Sequence, residues 1–85
     1  MNYEDIDRFI QQKKPGNSPV NISFKTRRPF KGIFIVMKDF AELKRKNLWR
    51  IVSEGSIPSY QESNDANLAK IFNGSEITRL EIPKS

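Results

Sequence analysis

The first apolar residues of the chain recur at a spacing of three to four residues, as they do along one face of an α-helix. These residues are Tyr3, Ile6, Phe9 and Ile10. The pattern predicts a helix over residues 3–14, with Asn2 as its N-cap and the pair Pro15-Gly16 as its end. We expect this helix to cover one end of a β-sheet.

Apolar and polar residues alternate from residue 19 onward, which is typical of β-strands. A first strand is predicted over 19–25, with Val20, Ile22 and Phe24 on its buried face. A second strand, 30–38, is apolar on both sides, which is typical of a central strand or of a strand in a closed barrel. Its two faces carry Phe30, Phe34 and Val36 on one side and Ile33, Ile35 and Met37 on the other.

The alternation is less regular in the rest of the chain. Residues 39–46 form a polar connection with room for one helical turn. Residues 47–53 predict a third strand, with Trp49 and Ile51 on one face. Residues 54–67 are rich in Ser, Asn, Gly and Pro and predict a long loop.

The segment after this loop fits two structures. Residues 64–72 fit a capped helix that ends at Asn73-Gly74. They fit equally well a strand that enters a hairpin turn at the same pair, with residues 77–82 as the return strand. Local propensity does not decide between them.

Positive charge is concentrated in the first part of the chain. The net charge of +5 divides into +7 for residues 1–50 and −2 for residues 51–85. Two groups of bases flank the predicted turns: Arg27, Arg28 and Lys31, and Lys44, Arg45 and Lys46. Because turns at one end of a small barrel come together, we expect these groups to form one basic rim.

The composition argues against an enzyme. The chain has no Cys and no His, so it lacks the commonest metal ligands and the commonest general base. Its four glycines are isolated and form neither a phosphate-binding loop nor a dinucleotide fingerprint. We therefore expect no catalytic residue, no metal site and no cofactor.

The hydropathy pattern argues against a membrane protein. The acidic start of the chain does not fit a signal peptide. The longest apolar run, Ile33–Met37, is far too short to span a bilayer. These features predict a cytoplasmic protein with no membrane contact.

Three stretches resemble the motifs of the Sm-like proteins, a family of small β-barrels that includes the bacterial RNA chaperones. They are Val20-x-Ile22-x-Phe24-Lys25, then Arg28-x-Phe30-x-Gly32-x-Phe34 with Asp39 and Asn47-Leu48, and finally Ile71-Phe72-Asn73-Gly74-Ser75-x-Ile77. The sequence departs from the family in the longer spacing from Asp39 to Asn47, and in having Asn73 where the family has a basic residue.

The resemblance covers most of residues 3–82 and implies a mainly β, α+β fold. The implied fold is a small five-stranded SH3-like or Sm-like barrel over residues 19–82, with an N-terminal helix, in one domain of residues 1–85. The chain is also faintly similar to short bacterial proteins of unassigned function.

The basic rim predicts binding of RNA or another polyanion, since Lys and Arg gain affinity by releasing the counterions condensed on phosphates. Phe30, Phe40 or Trp49 can stack on an unpaired base. The resemblance implies that Asn47 and Asn73 hydrogen-bond a base edge. The competing interpretation is that the bases are solvated turn residues and the aromatic rings are core.

A second hypothesis is a protein-interaction module. Exposed strand edges at residues 68–72 or 77–82 can pair with a second copy of the chain to form a homo-oligomer. The 54–67 loop can also act as a docking element for another protein.

Overall fold

An N-terminal helix precedes an antiparallel sheet of five strands in the computed structural model, which describes residues 1–15 and 18–83. The helices are α1 (Tyr3–Lys13), α2 (Phe40–Arg45) and α3 (Ile57–Ser63), and the strands are β1 (Val20–Phe24), β2 (Phe30–Phe34), β3 (Leu48–Ser53), β4 (Lys70–Asn73) and β5 (Ile77–Glu81). Short 3₁₀ turns occupy Glu54–Ser56, Ala66–Leu68 and Gly74–Glu76. The fold is therefore α+β and is built around one sheet. No helix in the described ranges is long and apolar enough to cross a membrane.

The predicted N-terminal helix and its cap are confirmed. The side-chain oxygen of Asn2 accepts a hydrogen bond from the backbone N–H of Asp5 at 2.9 Å, which satisfies one of the free donors of the first turn. At the other end, Lys14 has a φ of 46° and donates its N–H to the carbonyl of Ile10. Gly16, part of the predicted stop, lies outside the described residues.

The sheet is strongly curled because a very short segment joins its two edges. The strand order is β4-β3-β2-β1-β5, and only the turn Gly74–Glu76 links β4 to β5. The Cα atoms of Asn73 and Ile77 are therefore at most about 14 Å apart. Four strand spacings in a flat sheet would separate the edges by about 19 Å. Consistent with the curl, the rings of Phe24 on β1 and Phe72 on β4 meet with their centroids 5.6 Å apart.

The structure resolves the ambiguity after residue 64 in favour of a strand. The hairpin at Asn73-Gly74 that accompanied the strand alternative is nevertheless wrong, because β4 pairs with β3 and places Asn73 opposite Leu48. In the part of the chain that the structure describes, no pairing joins β4 to β5, and β5 pairs with β1 instead. The reason is a tertiary contact: the N–H of Gly74 donates to the carbonyl of Asn47 at 2.7 Å, which ties the turn to the start of β3.

Both faces of the central strands are buried, as the two-sided apolar pattern predicted. The inner core consists of Ile6, Val20, Ile22, Phe34, Trp49, Ile51, Ile77 and Leu80. The outer core consists of Ile33, Ile35, Val52 and Ile57. Trp49 and Ile51 therefore belong to the inner core, which the curled sheet encloses. Val52 belongs to the outer core, which α3 covers.

Residues 54–67 were expected to form a loop, and that expectation is wrong for most of them. Ile57, at the start of α3, is only 7% exposed, and Tyr60 packs against the same outer core. These two residues lie about one helical turn apart, and Pro58 occupies the first turn, where proline is favoured. The polar composition of the segment concealed this short amphipathic pattern.

The second strand is shorter than predicted. Beyond Phe34, Ile35 still donates its N–H to the carbonyl of Arg50 at 3.1 Å. Val36 and Met37, which were placed on the two faces of the strand, are instead 70% and 38% exposed. The chain leaves the sheet here and enters α2, the helical turn that the polar connection allowed.

Gly32 permits the close approach of β2 to β3. A Cβ at this position would lie 2.7 Å from Cγ2 of Ile51 and 2.9 Å from the carbonyl oxygen of Val52. We therefore expect Gly32→Ala to lower the free energy of unfolding by about 1 to 3 kcal/mol, measured by urea denaturation with Trp49 fluorescence. Gly55→Ala is the matched control, since a Cβ there meets nothing within 4 Å. Equal stability of the two variants would contradict this account of the packing.

Candidate nucleic-acid interface

Arg27 lies over three phenylalanine rings at the open end of the inner core. Its guanidinium carbon is 5.5 Å from the ring centroid of Phe24, 5.9 Å from that of Phe30 and 5.3 Å from that of Phe72. The three rings lie 5.2 to 5.6 Å from one another. These distances place the cation within range of favourable interaction with the ring faces. We call the three rings the phenylalanine cluster.

The curl of the sheet assembles the phenylalanine cluster from three strands. Phe24 is the last residue of β1 and Phe30 is the first residue of β2, so these two rings flank the turn that carries Arg27. Phe72 comes from β4, which lies two strands beyond β2 in the sheet. All three rings are partly buried against the inner core. The cluster therefore presents aromatic surface at an edge of the molecule that solvent reaches.

The other two members of the first basic group differ in position. Arg28 is exposed and follows Arg27 in the same turn. Lys31 is exposed but lies on β2 with Asn21 opposite it, next in sequence to the inward-packed Phe30, and therefore points to the other side of the sheet. The turn thus brings Arg27 and Arg28 together, while Lys31 belongs to the outer surface.

Lys44, from the second basic group, forms an ion pair with another helix of the protein. Its ammonium lies 3.2 Å from the carboxylate of Asp7 on α1, and each side chain is only 27% exposed. The same ammonium lies 5.9 Å from the ring centroid of Phe40. Lys44 therefore joins α2 to α1, and its charge is largely neutralised at the surface.

Arg45 and Lys46 are the exposed members of the second group. Lys46 lies 3.9 Å from Glu42 one helical turn away, and both side chains are well exposed. Such a surface pair contributes little to stability and is readily exchanged for another partner. These two residues therefore keep their charge accessible to an anion.

The two basic groups do not share a turn, contrary to the expectation of one rim. Arg27 precedes β2, whereas α2 with Arg45 and Lys46 follows it, so the groups flank opposite ends of that strand. The end of β4 instead contacts residues at or next to both groups. Phe72 contacts Arg27, and two residues later Gly74 bonds to Asn47, which immediately follows the second group.

The side chain of Asn47 forms hydrogen bonds within the protein. Its side-chain oxygen accepts a hydrogen bond from the indole N–H of Trp49 at 2.9 Å, and its side-chain nitrogen donates to the carbonyl of Met1 at 3.0 Å. Its φ of 58° is a left-handed conformation that asparagine tolerates better than most residues. Both polar atoms of the side chain already have partners within the protein.

Asn73 has a different environment. Its side-chain oxygen accepts hydrogen bonds from the backbone N–H and the hydroxyl of Ser75, at 2.9 Å and 2.8 Å. These bonds cap the turn Gly74–Glu76. The residue is exposed, so its side-chain nitrogen has access to a ligand.

The aromatic residues at the candidate interface differ from those that the sequence suggested. Trp49 is 1% exposed, and Phe40 packs edge-on against it, so these rings serve the inner core. Phe30 lies beside Arg27, together with Phe24 and Phe72, which the sequence did not single out. A signal existed, because Phe24 and Phe30 bracket the Arg27 turn and Phe72 precedes the Asn-Gly pair.

A pocket of about 450 Å³ opens beside this turn, on the outer surface of β1, β2 and β5. It is lined by Asn21, Ser23, Pro29, Phe30, Lys31, Glu54 and Glu81. Its lining contains more carboxylates than cations, which does not suit a phosphate. Within the described ranges, no group of three or more His, Cys, Asp or Glu residues is arranged to hold a metal ion.

Comparison of the chain with protein-family models, with curated proteins and with solved structures finds no match.

The contacts of Asn47 predict a mainly structural effect of its removal. Asn47→Ala would leave the buried indole N–H of Trp49 without its acceptor, and we expect it to lower the free energy of unfolding by about 1 to 3 kcal/mol. The measurement is urea denaturation. Asn73→Ala, which removes an exposed cap, is the control and should cost less than about 1 kcal/mol. If Asn47→Ala kept full stability, the internal role of the amide would be wrong.

Proposed function

We propose that this protein binds single-stranded RNA, without catalysing a reaction, through the turn between β1 and β2. The observation that carries the proposal is the placement of Arg27 over the phenylalanine cluster, with Arg28 exposed beside it. Proteins that bind single strands combine cations that follow the phosphates with aromatic rings on which bases stack. This turn offers both features on one small surface.

The exposed end of α2 extends the surface that we propose contacts the phosphates of the RNA. Arg45 and Lys46 are accessible, and the end of β4 connects them to the Arg27 turn. Lys44 and Asn47 are left out of the proposed contact set, because their polar atoms are engaged within the protein. Asn73, at the end of β4, remains a candidate for a base-edge contact through its side-chain nitrogen.

We also propose that the curled sheet is a small barrel of the Sm-like or SH3-like type. The support is the short link between the two edge strands and the contact of Phe72 with Phe24 and Phe30 across the curl. The N-terminal helix in front of the sheet and Gly32 in its second strand agree with the sequence resemblance.

Replacing both arginines of the turn tests the proposed function. We expect Arg27→Ala/Arg28→Ala to weaken binding of a fluorescent oligouridine by about tenfold or more at low salt, and to make the salt dependence shallower by about 1.4 log units per log unit, since two phosphate contacts are lost. Fluorescence anisotropy at several salt concentrations measures both quantities.

Two further variants sharpen this test. Lys13→Gln/Lys70→Gln removes the same charge from exposed positions outside both basic groups and should leave binding nearly unchanged. Arg27→Lys keeps the charge but loses the planar guanidinium over the rings, so it should keep the salt dependence while binding more weakly. Equal losses in the Arg27→Ala/Arg28→Ala variant and in the lysine control would show a non-specific charge effect and would overturn the proposal.

A protein-interaction role is the second candidate, and one observation favours it. Ile71, on the edge strand β4, is 50% exposed, and within residues 1–15 and 18–83 β4 pairs with β3 alone. An apolar residue on an unpaired edge is suited to strand addition by a second copy of the chain.

Sedimentation analysis tests this second role. If the edge of β4 forms a homo-oligomer, Ile71→Lys should shift the protein to its monomeric mass at concentrations where the wild type is associated. Thr78→Lys, at an exposed position on the other edge strand, is the comparison. A wild-type protein that is monomeric throughout the concentration series would exclude self-association through β4.

A further inference from the structure

The pocket beside the Arg27 turn is built from one aligned row of polar side chains. The register places Lys31 opposite Asn21, and Asn21 opposite Glu81, so the three residues cross β2, β1 and β5 in line. Side chains directly opposite one another in an antiparallel sheet have Cβ atoms about 5 Å apart. Among the described residues, none from α1, α2 or α3 lines this pocket, and α3 packs instead on the outer core of β2 and β3.

The pocket contains an unequal set of charges. It holds one ammonium, from Lys31, and two carboxylates, from Glu54 and Glu81. Glu81 forms an ion pair with Arg79, and its side chain is 48% exposed and so still accessible to a ligand. Lys31 and Glu54 form no ion pair with any residue in the described ranges. Because Arg79 offsets the charge of Glu81, the pocket suits a neutral group that carries donors for the carboxylates and an acceptor for the ammonium.

Guanine matches this set better than the other RNA bases do. Its Watson–Crick edge presents two adjacent donors, N1–H and N2–H, beside the acceptor O6. A carboxylate accepts from the two donors, while an ammonium donates to O6 or N7. Uracil and adenine each offer only one donor group on that edge. Cytosine offers one donor group and two acceptors, the reverse of what two carboxylates and one ammonium require.

The pocket also lies where a base would follow a bound phosphate. Pro29 supplies the apolar side chain of its wall, because the ring of Phe30 packs on the inner side of the sheet, and Pro29 comes directly after Arg28 in the chain. A phosphate held by Arg28 would therefore have its own nucleotide close to the pocket. Phosphate contacts position a nucleic acid, whereas contacts to base edges select its sequence.

We propose that this pocket is a guanine-binding subsite of the RNA surface, with Glu54 and Glu81 accepting from the base and Lys31 donating to it. The inference rests on the proposed function, and it gives the surface a sequence preference that its arginines alone cannot supply. Asn21 and Ser23 line the floor and offer further hydrogen bonds to the base or its ribose.

The test compares a fluorescent heptauridine with the same oligomer carrying one central guanosine. We expect the wild-type protein to bind the guanosine oligomer about tenfold more tightly. Glu54→Gln/Glu81→Gln should abolish this preference while heptauridine binding stays the same or strengthens slightly. Lys31→Met should reduce the preference, and Glu62→Gln, which removes an exposed carboxylate of α3 outside the pocket, should leave it intact.

The outcomes separate the two proposals. If the wild type binds neither oligomer, both the RNA-binding function and the guanine subsite are wrong. If it binds both oligomers equally, or prefers a central adenosine or cytidine to guanosine, the RNA-binding function stands and the guanine subsite is wrong. A guanine preference that survives in Glu54→Gln/Glu81→Gln would also overturn the subsite, since the preference would then arise elsewhere.

Discussion

The amide of Asn47 joins three parts of the chain that are remote in sequence, and the inner core depends on it. This side-chain amide forms hydrogen bonds with the indole of Trp49 and with the carbonyl of Met1. The backbone carbonyl of Asn47 accepts a hydrogen bond from the N–H of Gly74. Trp49 is the largest fully buried side chain in the described ranges. A Cβ on Gly74 would lie 2.1 Å from the side-chain oxygen of Asn47, so only glycine fits there. The end of β4, which carries Phe72 of the phenylalanine cluster, is thereby fixed against the start of β3.

The positive charge of this protein serves two different purposes. Lys44 and Arg50 form ion pairs with Asp7 and Asp39 that attach α2 to α1 and to β3. Arg27 and Arg28 lie in an exposed turn, where Arg27 is held by ring faces rather than by a carboxylate. A cation oriented by aromatic rings keeps its full charge for a ligand. Net charge alone therefore overstates the basic surface available to a polyanion.

Patterns of local spacing predicted much of the fold. The capped helix, the alternation in β1 and the two-sided burial of β2 all follow from side-chain periodicity, which depends only on near neighbours in sequence. The local pattern left helix and strand open before Asn73 and did not predict the partner of this strand, because β4 pairs with β3 rather than with the strand that follows it. Pairing across the sheet is decided by tertiary contacts that a local pattern does not contain.

The candidate site was less predictable than the fold, for the same physical reason. Arg27, Arg28 and Phe30 could be found because they lie together in one turn. The role of Lys44 depends on Asp7, which is far away in sequence, and the role of Asn47 depends on Met1 and Gly74. The pocket combines residues of three strands with Glu54, and no stretch of sequence contains them all.

The pairing of β1 with β5 has a consequence for how the protein folds during synthesis. β1 begins at Val20, whereas its partner begins only at Ile77. One edge of β1 therefore stays unpaired for several seconds at ordinary rates of translation, until the last strand has left the ribosome. An unpaired apolar strand is a template for aggregation. The newly made chain therefore exposes an apolar strand edge until β5 is available to cover it.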